Sequence, residues 1–232
     1  MSIKHGMILA AGLGRRMQPL TLKTPKPLLA INNLTLLERA INLLISHGVQ
    51  EIIINVHYLP DQIQSFINKK RFQVEITISN EEGLLLDTGG GVLKGTRNFG
   101  DNPFFVINPD TVWRKDYLEE LKNLEEIYFK NNKSTLLLVN KKLSIDSSFK
   151  GDFNLNNEKI SKDDENQLIF TGLQITNRSV LKKKKIEVFS MNKVWNKLIK
   201  DKNLLGLESS QKFYHLNTVD MYRKIQSLNI ID

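Results

Sequence analysis

The stretch Met7–Leu28, MILAAGLGRRMQPLTLKTPKPL, limits what this chain can fold into more than any other segment. Met7-Ile8-Leu9 is a short apolar run of strand character, and it gives way to Ala10, Ala11 and a turn, Gly12-Leu13-Gly14. Pro19, Pro25 and Pro27 then forbid a long helix from residue 15, because proline lacks an amide hydrogen and restricts the residue before it. The dinucleotide fingerprint fails with it, since it needs a third glycine where Met17 stands. The P-loop fails too, as no Lys-Ser or Lys-Thr follows a second glycine at the required spacing. What is left is a strand, a glycine turn and a proline-stiffened loop carrying Arg15, Arg16, Lys23 and Lys26. Glycines let backbone N–H groups wrap an anion, and nearby cations neutralise it. The stretch reads as a polyphosphate cradle.

Downstream, strand-like and helix-like segments alternate, which predicts an α/β fold: a three-layer α/β/α sandwich, Rossmann-like, with a mostly parallel mixed central sheet in a single domain. Thr35-Leu36-Leu37-Glu38 reads as a capping box for a helix ending near Gly48. Glu51–Val56 is an almost unbroken apolar run, as expected of a strand buried on both faces. Pro60 starts a helix to Lys70, and Val74, Ile76 and Ile78 alternate as a strand. Further helices are expected over Thr88–Arg97, Lys115–Asn131, Met191–Lys202 and Thr218–Leu228. Strands are expected over Pro103–Asn108, Ser134–Asn140, Asp152–Leu155 and Leu168–Thr176, and Asn156–Asn166 reads as a charged turn.

Composition narrows the function. With 232 residues, 41% of them hydrophobic, the chain can build one substantial core, and no apolar run approaches a membrane span. The opening MSIKHG is too short and polar for a signal peptide, and the absence of cysteine excludes disulfides and thiolate metal sites. Both fit a cytoplasmic protein. A net charge of +8 favours acidic partners. Lys182–Lys185, the densest basic run, has no interleaved aromatic to stack bases, so it reads as a solvated helix end or loop and nucleic acid is not expected as a partner. His5, His47 and His57 have no acidic or nucleophilic partner at a telling spacing and read as surface or boundary residues. Trp113 and Trp195 read as packing residues.

Three further constellations carry chemistry. Leu86-Asp87-Thr88-Gly89-Gly90-Gly91 places three consecutive glycines where a helix should begin, which is costly unless something approaches the backbone closely. Asp110 follows the strand ending at Asn108, where ligands of open α/β sheets gather, and a carboxylate there suits a divalent metal shared with substrate phosphates. Phe213-Tyr214-His215-Leu216-Asn217-Thr218 offers an imidazole that can ligate a metal, hydrogen-bond a phosphate or cap the following helix.

Leu9–Thr21, read as L-A-A-G-x-G-x-R-M-x-P-L-T, and Pro25-Lys26-Pro27-Leu28 resemble the signature of the sugar-1-phosphate nucleotidyltransferases. The triple glycine and Gly151-Asp152-Phe153 resemble the N-acetylmuramate-1-phosphate uridylyltransferase branch. The resemblance implies a nucleotide-binding and catalytic part over 1–140 and a sugar-binding part over 141–232. It implies that Leu9, Ala10, Ala11, Gly12, Leu13, Gly14 and Arg15, with Thr88, Gly89 and Gly90, hold the nucleoside triphosphate, UTP being favoured. Arg16, Lys26 and Asp110 would be catalytic, and Gly151, Asp152, Thr171 and Gly172 would meet the sugar 1-phosphate. Mg²⁺ would be held by Asp110 and by His215, which stands where the family has aspartate. Pro109 and Asn217 both replace family glycines. Mannose-1-phosphate guanylyltransferase, glucose-1-phosphate thymidylyltransferase and a catalytically silent nucleotide-sugar sensor are the competing readings.

Overall fold

A computed structural model describes residues 2–181, 185–228 and 230 of the chain. The strands, in chain order, are β1 (His5–Leu9), β2 (Ala30–Ile31), β3 (Leu34–Thr35), β4 (Glu51–Val56), β5 (Glu75–Asn80) and β6 (Phe104–Ile107), followed by β7 (Ser134–Asn140), β8 (Asn154–Asn156), β9 (Lys159–Ser161), β10 (Leu168–Thr176) and β11 (Leu204–Ser209). The helices are α1 (Leu36–His47), α2 (Pro60–Lys70), α3 (Asp87–Gly95), α4 (Tyr117–Asn131), α5 (Met191–Lys200) and α6 (Val219–Gln226).

Nine strands form one sheet in the order β5-β4-β1-β6-β10-β7-β11-β9-β8. From β5 to β6 all pairings are parallel, β10 runs antiparallel between β6 and β7, and β11 is parallel to β7. The sheet is therefore mixed and mostly parallel, as expected. The chain leaves β1 toward β4 on one side and returns to β6 on the other. That reversal opens a crevice beyond the carboxyl ends of β1 and β6.

Period-two alternation sends neighbouring side chains to opposite faces. Ile8, Ile52 and Ile54 pack on one side with Leu37, Ile41 and Leu44 of α1, Ile63 of α2 and Leu121 and Leu124 of α4. Met7, Ile53, Phe104 and Val106 pack on the other with Val92 of α3 and Val194 and Trp195 of α5. The three layers follow from these two apolar faces. A third cluster, Met17, Leu29, Ile31, Leu216 and Ile225, anchors the cationic loop and α6 at the crevice end.

Local signals explain most boundaries. Thr35 caps α1 by accepting from the Glu38 amide at 3.1 Å, and Gly48 closes it at φ 100°. The expected helices and strands are present with ends shifted by a few residues, α4 starting at Tyr117 and α5 ending at Lys200. Two features depart from expectation. The segment 156–166 contains β9, which pairs with β8 through a turn whose central residues, Asn157 and Glu158, have φ 47° and 63°. Such a turn suits the strand twist, and ladder bonds do not require apolar side chains. The other is β11, which the sequence reading left out and which lies fully paired along β7. Lys182–Lys184, most of the basic run read as a solvated helix end or loop, fall outside the described residues.

Candidate active site

A cavity of about 620 Å³ lies in the crevice. Leu9 through Met17 form one wall, Lys26 and Pro27 a second, Asn108, Pro109 and Asp110 a third, and Asp87 and Thr88 a fourth. Asn55 and Glu81 sit between the first and fourth, and Val188 and Asn217 border the opening. Every residue from Leu9 to Arg16 expected at a nucleotide is thus on one concave surface, with Lys26 and Asp110 facing it.

The glycine loop is built as its sequence demands. Gly14 has φ 62°, and a Cβ there would stand 3.2 Å from both Lys26 and Thr21 side chains. The Gly14 carbonyl accepts from the Met17 amide at 2.9 Å and the Thr21 hydroxyl at 2.8 Å, which closes the short turn holding Arg15 and Arg16. Met17 is 1% exposed, so the residue that breaks the dinucleotide pattern pins this turn to the core. A Cβ at Gly12 would meet nothing within 4 Å. Protein packing does not require that glycine, and the free space lies beside the cavity.

Lys26 Nζ donates to Asp110 Oδ2 at 2.8 Å, and His215 Nε2 stands 3.8 Å from the same oxygen. Backbone pairing brings these distant residues together: Val112 donates to the Tyr214 carbonyl and Leu216 to the Asp110 carbonyl, both at 2.8 Å. The His215 ring stacks on Phe213 with centroids 5.7 Å apart. Burial alone would raise the Asp110 pKa, but the charges of Lys26 and His215 and the Lys26 hydrogen bond hold it down at about 2. Burial, helped by Lys26 and Arg16, lowers the His215 pKa against the pull of Asp110. Asn217, its amide 2.7 Å from Asp146 Oδ2, completes this corner.

Asp110 Oδ1 and His215 Nδ1 are buried without a hydrogen-bond partner among the described residues. A buried carboxylate oxygen without a partner is costly, and it fits a cation that arrives with substrate. Among the described residues no three His, Cys, Asp or Glu side chains converge on one point, so such a cation would take most of its ligands from phosphates and water.

Protein packing supplies a cause for the triple glycine. A Cβ at Gly89 would overlap the Phe189 ring, one at Gly90 the Glu187 carbonyl, and one at Gly91 would lie 2.7 Å from the Asn55 amide. The Gly89 and Gly90 amides donate to the Phe189 carbonyl at 2.9 and 3.1 Å. These glycines let residues 187–189 lie against the start of α3, and neither Gly89 nor Gly90 lines the cavity. Thr88 does line it, while its hydroxyl accepts from the Met191 amide at 2.9 Å.

None of the four residues expected at the sugar lines the cavity. Gly151 (φ 82°) packs against the Asn166 carbonyl, and Asp152 accepts from the Phe170 amide at 2.9 Å. Thr171 is 1% exposed and donates to the Leu137 carbonyl. Gly172 (φ 95°) accepts from the Asn108 amide at 2.8 Å, so it shapes a cavity wall from behind. Each of the four therefore has a structural role in a turn or a hydrogen bond. Asn55 and Asn108 were missed. The signal for Asn55 was available, since it is the one amide in the apolar run EIIINV.

The histidines outside the site do have partners, supplied by remote segments. His47 lies 3.2 Å from Glu125, His5 lies 3.5 Å from Glu51, and His57 Nδ1 is 2.8 Å from the Glu81 carbonyl oxygen. Trp113 and Trp195 are buried packing residues, as expected. No helix among the described residues is long and apolar enough to cross a membrane.

The chain is similar to proteins of known kind. An N-acetylmuramate alpha-1-phosphate uridylyltransferase from Caulobacter vibrioides is 36% identical over 113 residues, which cover 47% of this chain and 47% of that one. A mannose-1-phosphate guanyltransferase from Hypocrea jecorina is 34% identical over 123 residues, 50% of this chain and 33% of that one. The matched stretch spans about half or less of these curated relatives. Among solved structures, a UDP-glucose pyrophosphorylase complexed with UDP-glucose superposes with a TM-score of 0.79 at 20% identity, covering 97% of each chain. HddC from Yersinia pseudotuberculosis complexed with GMP-PN gives 0.77 at 21%, covering 97% of this chain and 99% of that one. These two share the fold. The model of the Nucleotidyl transferase family matches residues 5–147, well over half of the chain, and the chain belongs to that family.

Proposed function

We propose that the chain transfers a nucleotidyl group from a nucleoside triphosphate to a sugar 1-phosphate, releasing pyrophosphate. The observation that carries this reading is the Lys26–Asp110 pair, 2.8 Å apart, facing the glycine loop across one cavity. A sugar phosphate oxygen is already an anion at neutral pH, so no covalent enzyme intermediate is needed. The task is to align two mutually repelling anions and neutralise the charge that develops at the α-phosphorus.

In this reading the glycine-loop amides seat the triphosphate, and Arg16, on the open turn after Gly14, neutralises the departing pyrophosphate. Lys26 leaves Asp110 for the α-phosphate and the sugar phosphate. Asp110, with His215 beside it, would hold a divalent cation, Mg²⁺ being the expected one, and that cation would supply Lewis-acid neutralisation of phosphate charge. Asp110 Oδ1, which has no partner among the described residues, is the atom that fits this role.

For the base and sugar, UTP and N-acetylmuramic acid 1-phosphate are favoured. The support is the uridylyltransferase relatives from Caulobacter vibrioides, 36% identical, and Neisseria meningitidis, 38% identical over 112 residues. The mannose-1-phosphate guanyltransferase relatives keep GTP and mannose 1-phosphate as the second reading. A reaction fed by nucleoside triphosphates suits the cytoplasm. A matrix of UTP, GTP, dTTP and CTP against several sugar 1-phosphates, read by pyrophosphate release with and without Mg²⁺, tests this. The largest signal is expected from UTP with N-acetylmuramic acid 1-phosphate. Triphosphate binding without release in any combination would favour the nucleotide-sugar sensor.

A further inference from the structure

Glu81 is a carboxylate buried at the edge of a cavity built for anions, 1% exposed, where it repels the expected ligand. Both its oxygens are engaged. Oε1 accepts from Asn55 Nδ2 at 2.8 Å, and Oε2 accepts from the Leu86 amide at 2.9 Å. Asn55, 3% exposed, accepts from the Ala10 amide through Oδ1 at 2.8 Å. One chain of hydrogen bonds thus runs from the first residue of the glycine loop, through Asn55 and Glu81, to the residue before α3. Those ends carry the two opposing cavity walls, Ala10–Arg15 and Asp87–Thr88.

The polarity of this chain is forced. Backbone amides only donate, so Ala10 fixes Asn55 Oδ1 as acceptor and leaves Nδ2 to donate. Position 81 must then accept twice, from Asn55 and from Leu86. A carboxylate satisfies that and a primary amide does not. The third glycine of the triple is tied to the same pair, since a Cβ at Gly91 would stand 2.7 Å from Asn55 Nδ2 and 2.8 Å from Glu81 Oε1.

We infer that Glu81 and Asn55 are positioning residues of the nucleotide site, a clamp that holds the glycine loop and the start of α3 at the spacing a nucleoside triphosphate requires. The inference rests on the reading of the cavity as a triphosphate site. The clamp touches no phosphate. It sets the separation of the two backbone walls that border the nucleotide cavity.

The forced polarity supplies the test. In Glu81→Gln one acceptor becomes a donor facing a donor, and Asn55→Asp sets two buried carboxylates against each other. In the double variant Asn55→Asp/Glu81→Gln the new carboxylate at 55 accepts from Ala10 and from the new amide at 81, whose oxygen accepts from Leu86. All three bonds return, with the charge moved from one position to the other. UTP affinity by calorimetry and KM by pyrophosphate release, measured below the unfolding temperature of each variant, are expected to weaken at least about tenfold in each single variant. The double variant is expected within about threefold of the unaltered protein, and this arm holds even if a single variant does not fold. Single variants that lose only thermal stability and keep their UTP affinity overturn the clamp and leave the proposed function standing. A double variant as weak as the singles overturns it also. An unaltered protein that binds no nucleoside triphosphate overturns the proposed function and takes the clamp with it.

Discussion

Lys26 Nζ and Asp110 Oδ2 lie 2.8 Å apart, although 84 positions separate them in the chain. The cation expected on the phosphates and the carboxylate expected on the metal thus neutralise each other before a substrate arrives. Each is partnered without the ligand, and in the proposed reaction each would exchange that partner for a metal–triphosphate complex. Neither side chain is fully exposed, at 14% and 26%, so the pair is only weakly screened by water.

Replacing Lys26 with alanine removes one charged contact to the reacting phosphates. By analogy with loss of an oxyanion donor, worth about 3–4 kcal/mol, turnover should fall by roughly a hundredfold or more. Steady-state pyrophosphate release checks this, and a near-normal rate would remove Lys26 from the chemistry. Arg16→Ala should behave alike.

The same pair makes the fold acid-sensitive. Asp110 titrates at about 2 in the folded protein against 3.8 ordinarily, so its ionised form is favoured by folding. Its contribution, about 2 kcal/mol, is complete above pH ~4 and is lost as pH falls toward 2. Urea midpoints between pH 6 and 2 should show a steeper acid loss for the unaltered protein than for Asp110→Asn. Parallel curves would contradict the assignment.

The glycines divide into two kinds, and alanine separates them. Gly90→Ala forces a methyl into the Glu187 carbonyl, and overpacking of this kind costs about 1–3 kcal/mol, or roughly 2–12 °C in melting temperature for a chain of this size. Gly12→Ala meets no protein atom within 4 Å, so stability should change by no more than about 0.5 kcal/mol. The KM for the triphosphate should rise instead, because the methyl enters ligand space. Thermal melts beside initial-rate kinetics decide between these outcomes.

In the proposed site, the imidazole of His215 beside Asp110 would change the surroundings of a bound metal. Imidazole suits Mn²⁺ and other transition metals better than Mg²⁺, which prefers oxygen. His215→Asp should therefore raise Mg²⁺-supported activity relative to Mn²⁺. An unchanged ratio, with Mn²⁺ resonance showing no nitrogen coupling in the unaltered protein, would remove His215 from the metal.

The sheet and the glycine loop that lines the cavity were legible because their signals are local. Apolar runs, the Thr35 cap and the glycine–proline succession of Met7–Leu28 each act within a few residues. β9 and β11 were not, because charged turn residues can still complete a ladder and because β11 owes its place to β7. The sugar-side residues have structural partners for a related reason. Gly151, Asp152, Thr171 and Gly172 have the composition of a ligand loop, yet that composition serves a turn and its hydrogen bonds. The Asn55–Glu81 pair depends on three remote backbone groups converging, which no spacing in the chain announces.

The most direct test is phosphorus resonance of the protein with UTP, N-acetylmuramic acid 1-phosphate and Mg²⁺. Attack at the α-phosphorus predicts that the three triphosphate signals and the sugar monophosphate signal decline together. A pyrophosphate signal and the paired signals of a nucleotide sugar should replace them in equal amounts. Loss of the γ-phosphate signal to inorganic phosphate, with the sugar phosphate untouched, would contradict the account.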